Sequence, residues 1–368
     1  MKVSIQRDAL LTLIGSIQAV VPNKPTLPIL ANILLEAYND SLTLTATDLT
    51  VSMRASLPAT IEHEGSITLP ARRFFQLVRE LTIPSVEIEC QGAETAYISA
   101  GTSRFKLNGM HRDEFPSLPH MAGARHYTLP APLLKELFVR TSFAAAREDS
   151  RHVLNGILFQ VEGKRATAIG TDGKRLARAS LDLEEGETLD QTFLIPLKAV
   201  EEMTKLSDGK ELARLSLADD KVAVEYGGTT LITKLLSGQY PDVNRVIPDA
   251  APITLSLHRE ELSTLLRQIS LFTSERSHSV HFIFQEGELH IEAASSDIGE
   301  GRASMPVDYR GESLQIAFNP HYFLDILKHC RDETVTFQLT DPYNPGLITD
   351  STGALFVIMP MRIASGVA

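Results

Sequence analysis

The side chains able to do chemistry are scattered through this 368-residue chain, and few stand at a working spacing. Thr171-Asp172-Gly173-Lys174 reproduces the nucleophile-x-x-Lys spacing in which a lysine takes the proton of a hydroxyl. That chemistry needs companion Ser-Asp-Asn and Lys-Thr-Gly segments and a nucleophile that opens a helix. The chain has neither segment, and the alternating residues up to Thr171 put the threonine at the end of a strand. His278 and His281 stand three apart without a third ligand, short of a metal site. A phosphate loop, GxGxxG and HExxH are all absent. Cys90 and Cys330 lie far apart without CxxC spacing, so neither a disulfide framework nor a zinc site is expected and the reducing cytoplasm is the expected compartment. The chain is expected to work by binding, with no catalytic residue, metal or cofactor.

Composition narrows what it binds. With 46 acids against 35 bases the net charge of −11 argues against a protein that clings to nucleic acid over its whole surface, and leaves room for a local basic one. No uncharged apolar run approaches the roughly 20 residues of a membrane span. Asp8 and the lack of a small-residue cleavage site argue against a signal peptide.

The positioning elements repeat three times. Ser66 to Leu77, Thr192 to Met203 and Gln315 to Ile326 each run from an alternating strand through a proline turn into an amphipathic helix, with Phe74, Val200 and Phe323 in the same place at steps of 126 and 123. Pro70, Pro196 and Pro320 are expected in the first helical turn, where a missing N–H costs little. Asp48, Asp172 and Ser296 close strands at steps of 124. Each unit opens with a strand residue (Ile5, Leu129, Leu257) before a helix whose apolar face is expected to hold Leu10, Leu13, Ile14 and Ile17, then Leu133, Leu134, Leu137 and Phe138, then Leu262, Leu265, Leu266 and Ile269. The reading is an α+β fold of three repeated domains, 1–123, 124–250 and 251–368, each with two helices on a largely antiparallel sheet. Short linkers with proline, Phe115 to Pro119 and Tyr240 to Pro248, imply a stiff arrangement.

The expected helices, 7–21, 70–81, 131–147, 196–206, 258–276 and 320–331, carry a net +5, which leaves −16 for strands and loops. Six helices on one side would make that side mildly basic and the other acidic.

The chain resembles the bacterial sliding clamps, the beta subunits of DNA polymerase III. The resemblance rests on Lys24-Pro25-Thr26-Leu27-Pro28-Ile29-Leu30, Thr45 to Leu49, Val153-Leu154-Asn155-Gly156, Thr171 to Ala177, Tyr240-Pro241-Asp242 and Val357 to Ile363, and spans nearly the whole length. It implies the DNA clamp fold, with two chains joined head to tail as a ring-shaped homodimer, helices inside and sheets outside. Twelve helices about 9 Å apart give a circumference of about 110 Å and a diameter of about 35 Å through the axes. Removing about 10 Å for helix bodies leaves a bore of roughly 25 Å, enough for a duplex. The implied partners are double-stranded DNA, held topologically without sequence preference, the replicative polymerase alpha subunit, the clamp loader delta subunit and other proteins bearing a clamp-binding motif. The implied role is that of a non-catalytic processivity factor. A specialised duplicate clamp would read almost the same, and the competing classes are a peptide-binding scaffold that never loads on DNA and an enzyme with a motif-free site.

The resemblance also implies sites. DNA-facing positions map to Lys24, Arg72, Arg147, Glu148, His152 and Val153, with a departure from the family's pattern at Glu148, His152 and Val153. A groove for a short motif (a Gln followed by Leu and a terminal Leu-Phe pair) maps to Leu154, Thr171, Gly173, Lys174, Arg175, Leu176, Pro241, Arg245, Val246, Tyr322, Val357, Pro360, Met361 and Arg362. Apolar walls would bury the motif's Leu and Phe, and methionines would adapt to several partners. The subunit interface maps to Arg73, Leu81 and Arg104 on one side and Leu271, Phe272, Asp297 and Glu300 on the other. Gly299 to Ser304 has one acid and one arginine where the family often has a longer acid run.

Overall fold

A computed structural model describes residues 1–183, 189–248, 251–274 and 278–362. Its helices are α1 (Arg7–Ile17), α2 (Ala71–Glu80), α3 (Ala131–Ser142), α4 (Leu197–Leu206), α5 (Arg259–Ser270) and α6 (Pro320–His329). Among the described residues the strands form four antiparallel sheets, and the chain folds as two compact units.

The first unit comprises residues 1–135, 183–188 and 198–235. It holds a five-stranded sheet in the order Thr60–His63, Lys2–Gln6, Ser85–Cys90, Thr95–Ala100, Ser103–Asn108. Its second sheet has eight strands, in the order Arg125–Pro130, Leu212–Ala218, Lys221–Tyr226, Thr229–Lys234, Val51–Pro58, Ser41–Thr47, Asn32–Tyr38, Gly65–Pro70. Four of these strands come from the first repeat and four from the second, joined where Leu231 pairs with Met53 and Ile232 with Ser52.

The second unit comprises residues 136–182, 189–197 and 236–368. Its eight-stranded sheet runs Leu189–Pro196, Gly156–Gly163, Arg165–Thr171, Arg175–Asp182, Leu355–Ile358, Gly346–Thr349, Thr334–Leu339, Ile253–His258. The joint between the second and third repeats pairs Leu176 with Val357 and Ala177 with Phe356. A four-stranded sheet follows the order Gly299–Pro306, Glu288–Ser295, Val280–Gln285, Leu314–Phe318. The middle repeat is therefore divided, its two half-sheets each completed by a different neighbour.

The helices form because their apolar residues recur every three or four positions and face the sheets. In α1 these are Leu10, Ile14 and Ile17, in α2 Ala71, Phe74 and Val78, in α5 Leu262, Leu266 and Ile269, and in α6 Phe323, Ile326 and Leu327. Leu133, expected on the buried face of α3, is 44% exposed. The proline expectation holds for Pro320, the first residue of α6, whereas Pro70 and Pro196 end the preceding strands. Pro70 pairs with Asn32, and that sheet position keeps it out of the helix.

Three helices stop four or more residues short of the expected ends. After Ile17, Ser142 and Ser270 the chain tightens into i→i+3 turns, seen in Val20 N to Ile17 O, Ala145 N to Ser142 O and Thr273 N to Ser270 O. Glu275 and Arg276, placed in the fifth helix on sequence grounds, lie outside the described residues, as does Ile363.

The helical cations are also spent differently than a simple sum implies. Arg7 caps the end of α2, with Nε donating to Val78 O at 3.1 Å and Nη2 donating to Arg79 O. Arg259 does the same for α6, donating to Cys330 O at 2.9 Å. Both place a cation at the negative end of a helix dipole. Arg140 is buried against Asp350 and Thr352. These three arginines serve the fold and are withdrawn from any basic surface.

Candidate functional site

The second joint carries the site. Thr171 ends its strand, and its hydroxyl donates to Arg175 O at 2.6 Å while accepting from Gly173 N at 3.1 Å. Asp172 Oδ1 accepts from the backbone N–H of Lys174 at 2.9 Å and of Arg175 at 3.0 Å, an Asx turn that closes the corner. Gly173 at φ +84° supplies the left-handed residue the turn requires. Thr171 is thus a structural hydroxyl held by its own turn, which disposes of the nucleophile-like spacing.

The turn grips the C-terminal segment. Met359 N donates to Lys174 O at 2.9 Å, and Met361 N to Ala317 O at 2.8 Å. Beneath lies an apolar floor of Leu158, Ile169, Leu176, Leu194, Val243, Leu347 and Val357, with Val153, Leu236, Tyr240 and Ile247 packed on it. Leu154, Leu176 and Val357 are almost fully buried, so they shape the floor from inside. Val246 and Met359 are each 37% exposed, and Pro241, Arg245 and Arg362 are exposed, so these supply the rim. Pro360, Met361 and Tyr322 are half-buried beside them.

Arg175 is the hub. Its guanidinium lies 4.7 Å from the Tyr322 ring centroid and 5.4 Å from that of Phe143. It donates to Asp172 Oδ2 at 3.1 Å, to Asp325 Oδ2 at 2.5 Å and to Phe143 O at 2.8 Å. With three of its five N–H groups committed in this way, Arg175 is a rivet of the wall of the cleft it lines. Beside it opens a cleft of about 410 Å³ lined in part by Phe143, Arg147, Arg151, Lys174 and Tyr322. Hydrogen bonds from Arg151 hold the Asp149 carboxyl down to about 2, while burial raises the Tyr240 phenol.

Phe143, Tyr240, Val243, Asp325 and Leu347 belong to this site and were missed in the sequence. Val243 and Tyr240 sit in the stretch read as a linker, where the proline and polar residues masked the apolar pair.

The other expected positions fall as follows. Lys24 is exposed, and Arg72 is exposed on α2 with Nη2 donating to Asn23, the residue next to Lys24. Arg147, Glu148 and His152 are exposed. Val153 is half-buried on the apolar floor, and its hydrocarbon side chain has no donor for a phosphate. Arg73 is exposed, and Leu81 is buried at 8%. Arg104 pairs with Glu89 at 3.3 Å and stacks 4.4 Å over Tyr97. Leu271 is 71% exposed. Phe272 lies flat on Gly301, where a Cβ would come within 2.5 Å of its ring, and Asp297 and Glu300 are exposed. Gly301 was not singled out in the sequence.

A helix pair and two half-sheets written three times, joined edge to edge and carrying an apolar socket at one joint, define the DNA clamp class. Comparison with known proteins is specific. Models of the DNA polymerase III beta subunit match throughout: its N-terminal domain over residues 1–119, central domain over 128–242 and C-terminal domain over 244–362. The beta sliding clamp of Chlamydia muridarum is 49% identical over 363 residues, 99% of each chain. That of Escherichia coli K12 is 32% identical over 369 residues, 99% of this chain and 100% of its own. The crystal structure of the DNA polymerase sliding clamp from Bacillus subtilis aligns at a TM-score of 0.94 and 30% identity over 99% of each chain. The chain belongs to the DNA polymerase III beta-subunit family, that of the bacterial sliding clamps.

Proposed function

We propose that two copies of this chain close head to tail into a ring around duplex DNA, and that the groove at the second joint tethers the polymerase alpha subunit, the clamp loader delta subunit and other motif-bearing proteins. One observation carries the ring. Both internal joints pair the last strand of a repeat's first half-sheet (Thr229–Lys234, then Leu355–Ile358) with the last strand of the preceding repeat's second half-sheet (Val51–Pro58, then Arg175–Asp182). The corresponding strands of the end repeats are Ser103–Asn108 and Gly299–Pro306, and among the described residues nothing pairs with their outer edges. A head-to-tail partner supplies the missing strand at each, as closure requires of a heterologous contact. Phe105 at 39% exposure, Leu271 at 71% and Ile298 at 54% leave apolar surface at those edges.

The repeats then stand as 1–123, 124–250 and 251–368. Lys24, Arg72, Arg147 and His152 are the proposed phosphate contacts, weak singly because retention is topological. The acids concentrated in strands and loops keep stray DNA off the outside.

Sedimentation at micromolar protein and moderate salt tests closure: the reading expects twice the 40.5 kDa chain mass. A monomer throughout that range contradicts it. Replacing Lys24 and Arg72 by Glu should lower loading onto DNA while the dimer mass stays unchanged.

A further inference from the structure

His329, the last residue of α6, lies face to face with Phe143, their ring centroids 4.1 Å apart and their planes 6° from parallel. Phe143 lines the cleft, and its carbonyl holds Arg175. Arg175 reaches Asp325 through Nη1, and the backbone carbonyl of that same Asp325 is 2.7 Å from His329 Nδ1. Imidazole, phenyl, guanidinium and the Tyr322 ring therefore form one continuous stack, closed at the back by a single residue of α6 that holds the histidine with its backbone and the arginine with its side chain. Neither the repeat pattern nor the family resemblance points to His329.

We propose that His329 is a positioning residue of the partner-segment groove, holding Phe143 and through it Arg175 and Tyr322 in the shape that receives a ligand, and that its protonation loosens that grip. The proposal rests on the reading of the groove given above. The groups facing the imidazole are Asp325 and Lys328 from α6, Phe143 from the turn after α3, and Arg175, backed by Asp172, from the strand turn. Burial is the largest influence and lowers the affinity of His329 for a proton; the hydrogen bond to the Asp325 carbonyl opposes it, and Lys328 and Arg175 reinforce it. The neutral ring needs only its Nδ1–H for Asp325 O. A second proton places positive charge in a stack that already contains Arg175. Because the folded state holds the proton less well than the unfolded chain, this contribution is complete above the ordinary value of 6.5 and is lost as pH falls below it.

The test uses the full chain and a labelled peptide carrying the Gln, Leu and terminal Leu-Phe pattern, titrated from pH 8 to pH 5.5. The wild type should bind at pH 8 and weaken in acid. His329→Phe, which keeps a stacked ring but cannot titrate, should bind within about twofold of wild type at pH 8 and hold that affinity in acid. His329→Ala, which also cannot titrate, should bind about fivefold more weakly than wild type at pH 8, the scale of a lost ring pair, and keep that lower affinity in acid. Urea unfolding and dimer mass identify a variant that simply fails to fold. Wild-type affinity in His329→Ala at pH 8, or the full acid loss in His329→Phe, overturns the proposal. A wild type that binds no peptide at any pH overturns the groove reading itself, a distinct result.

Discussion

At the first joint Ser52 faces Ile232 across the sheet, and at the second Leu176 faces Val357. The backbone around the two is the same. Thr47 and Thr171 each accept the N–H two residues on, at 3.0 and 3.1 Å, and Asp48 and Asp172 each accept the next two. Lys234 N donates to Thr50 O at 3.0 Å where Met359 N donates to Lys174 O at 2.9 Å. The side chains diverge. Ser52 is buried and bonded to Thr47 at 2.8 Å, and Lys198 reaches over the first turn to Asp48 Oδ2 at 2.5 Å and Val20 O at 3.0 Å. At the second turn Asp172 is held by Arg175, the aromatic rings stand at the side, and hydrocarbon forms the floor. Backbone repetition makes a joint, and the side chains written on it set the two joints apart.

Exchanging the two floors should give the largest effect. Leu176→Ser leaves a cavity and should cost about 2–5 kcal/mol in urea unfolding, with peptide binding lost. The reciprocal Ser52→Leu should cost about 1–3 kcal/mol from overpacking and the lost Thr47 bond, and titration should still find one peptide site per chain. A second site in that variant would show that floor hydrocarbon alone suffices and would break the comparison.

Next in size, Met361→Ala should weaken peptide binding about thirtyfold, the loss of one buried anchor of about 2 kcal/mol, while sedimentation still finds the dimer. Phe272→Asp should raise the dimer dissociation constant on a similar scale, because it puts charge on the flat contact with Gly301 at the open edge. Arg104→Glu at the opposite edge should change it by about fivefold or less, since exposed ion pairs contribute about 0–1 kcal/mol.

The two turns themselves give the smallest expected contrast. Gly173→Ala forces a side chain to φ +84° and should cost about 1 kcal/mol, whereas Leu49 already holds φ +74°, so Leu49→Gly should leave urea stability unchanged or raise it. Equal losses at both would mean that the turns are not equivalent in strain.

Much of this was readable from residue spacing, because helices and turns are local. The apolar faces of α1, α5 and α6, the proline start of α6 and the Thr-Asp turns follow from residues within a few positions of each other. The sharing of sheets between repeats was not readable. Pairing of Leu176 with Val357 joins positions far apart in sequence, and alternation identifies a strand without naming its partner. Charge sums misjudged Arg7, Arg140 and Arg259 because a formal charge carries no record of whether it caps a helix or lies buried beside Asp350. The packing of Val153 on the apolar floor and the three hydrogen bonds of Arg175 were not readable either, since tertiary packing alone decides which way a side chain faces.

Retention on DNA tests the central claim most directly. Protein loaded on nicked circular duplex should remain through gel filtration and should be lost once the circle is cut, while direct affinity for linear duplex stays weak and falls with salt. Equal loss from circles and linear molecules would contradict a ring that holds DNA by encircling it.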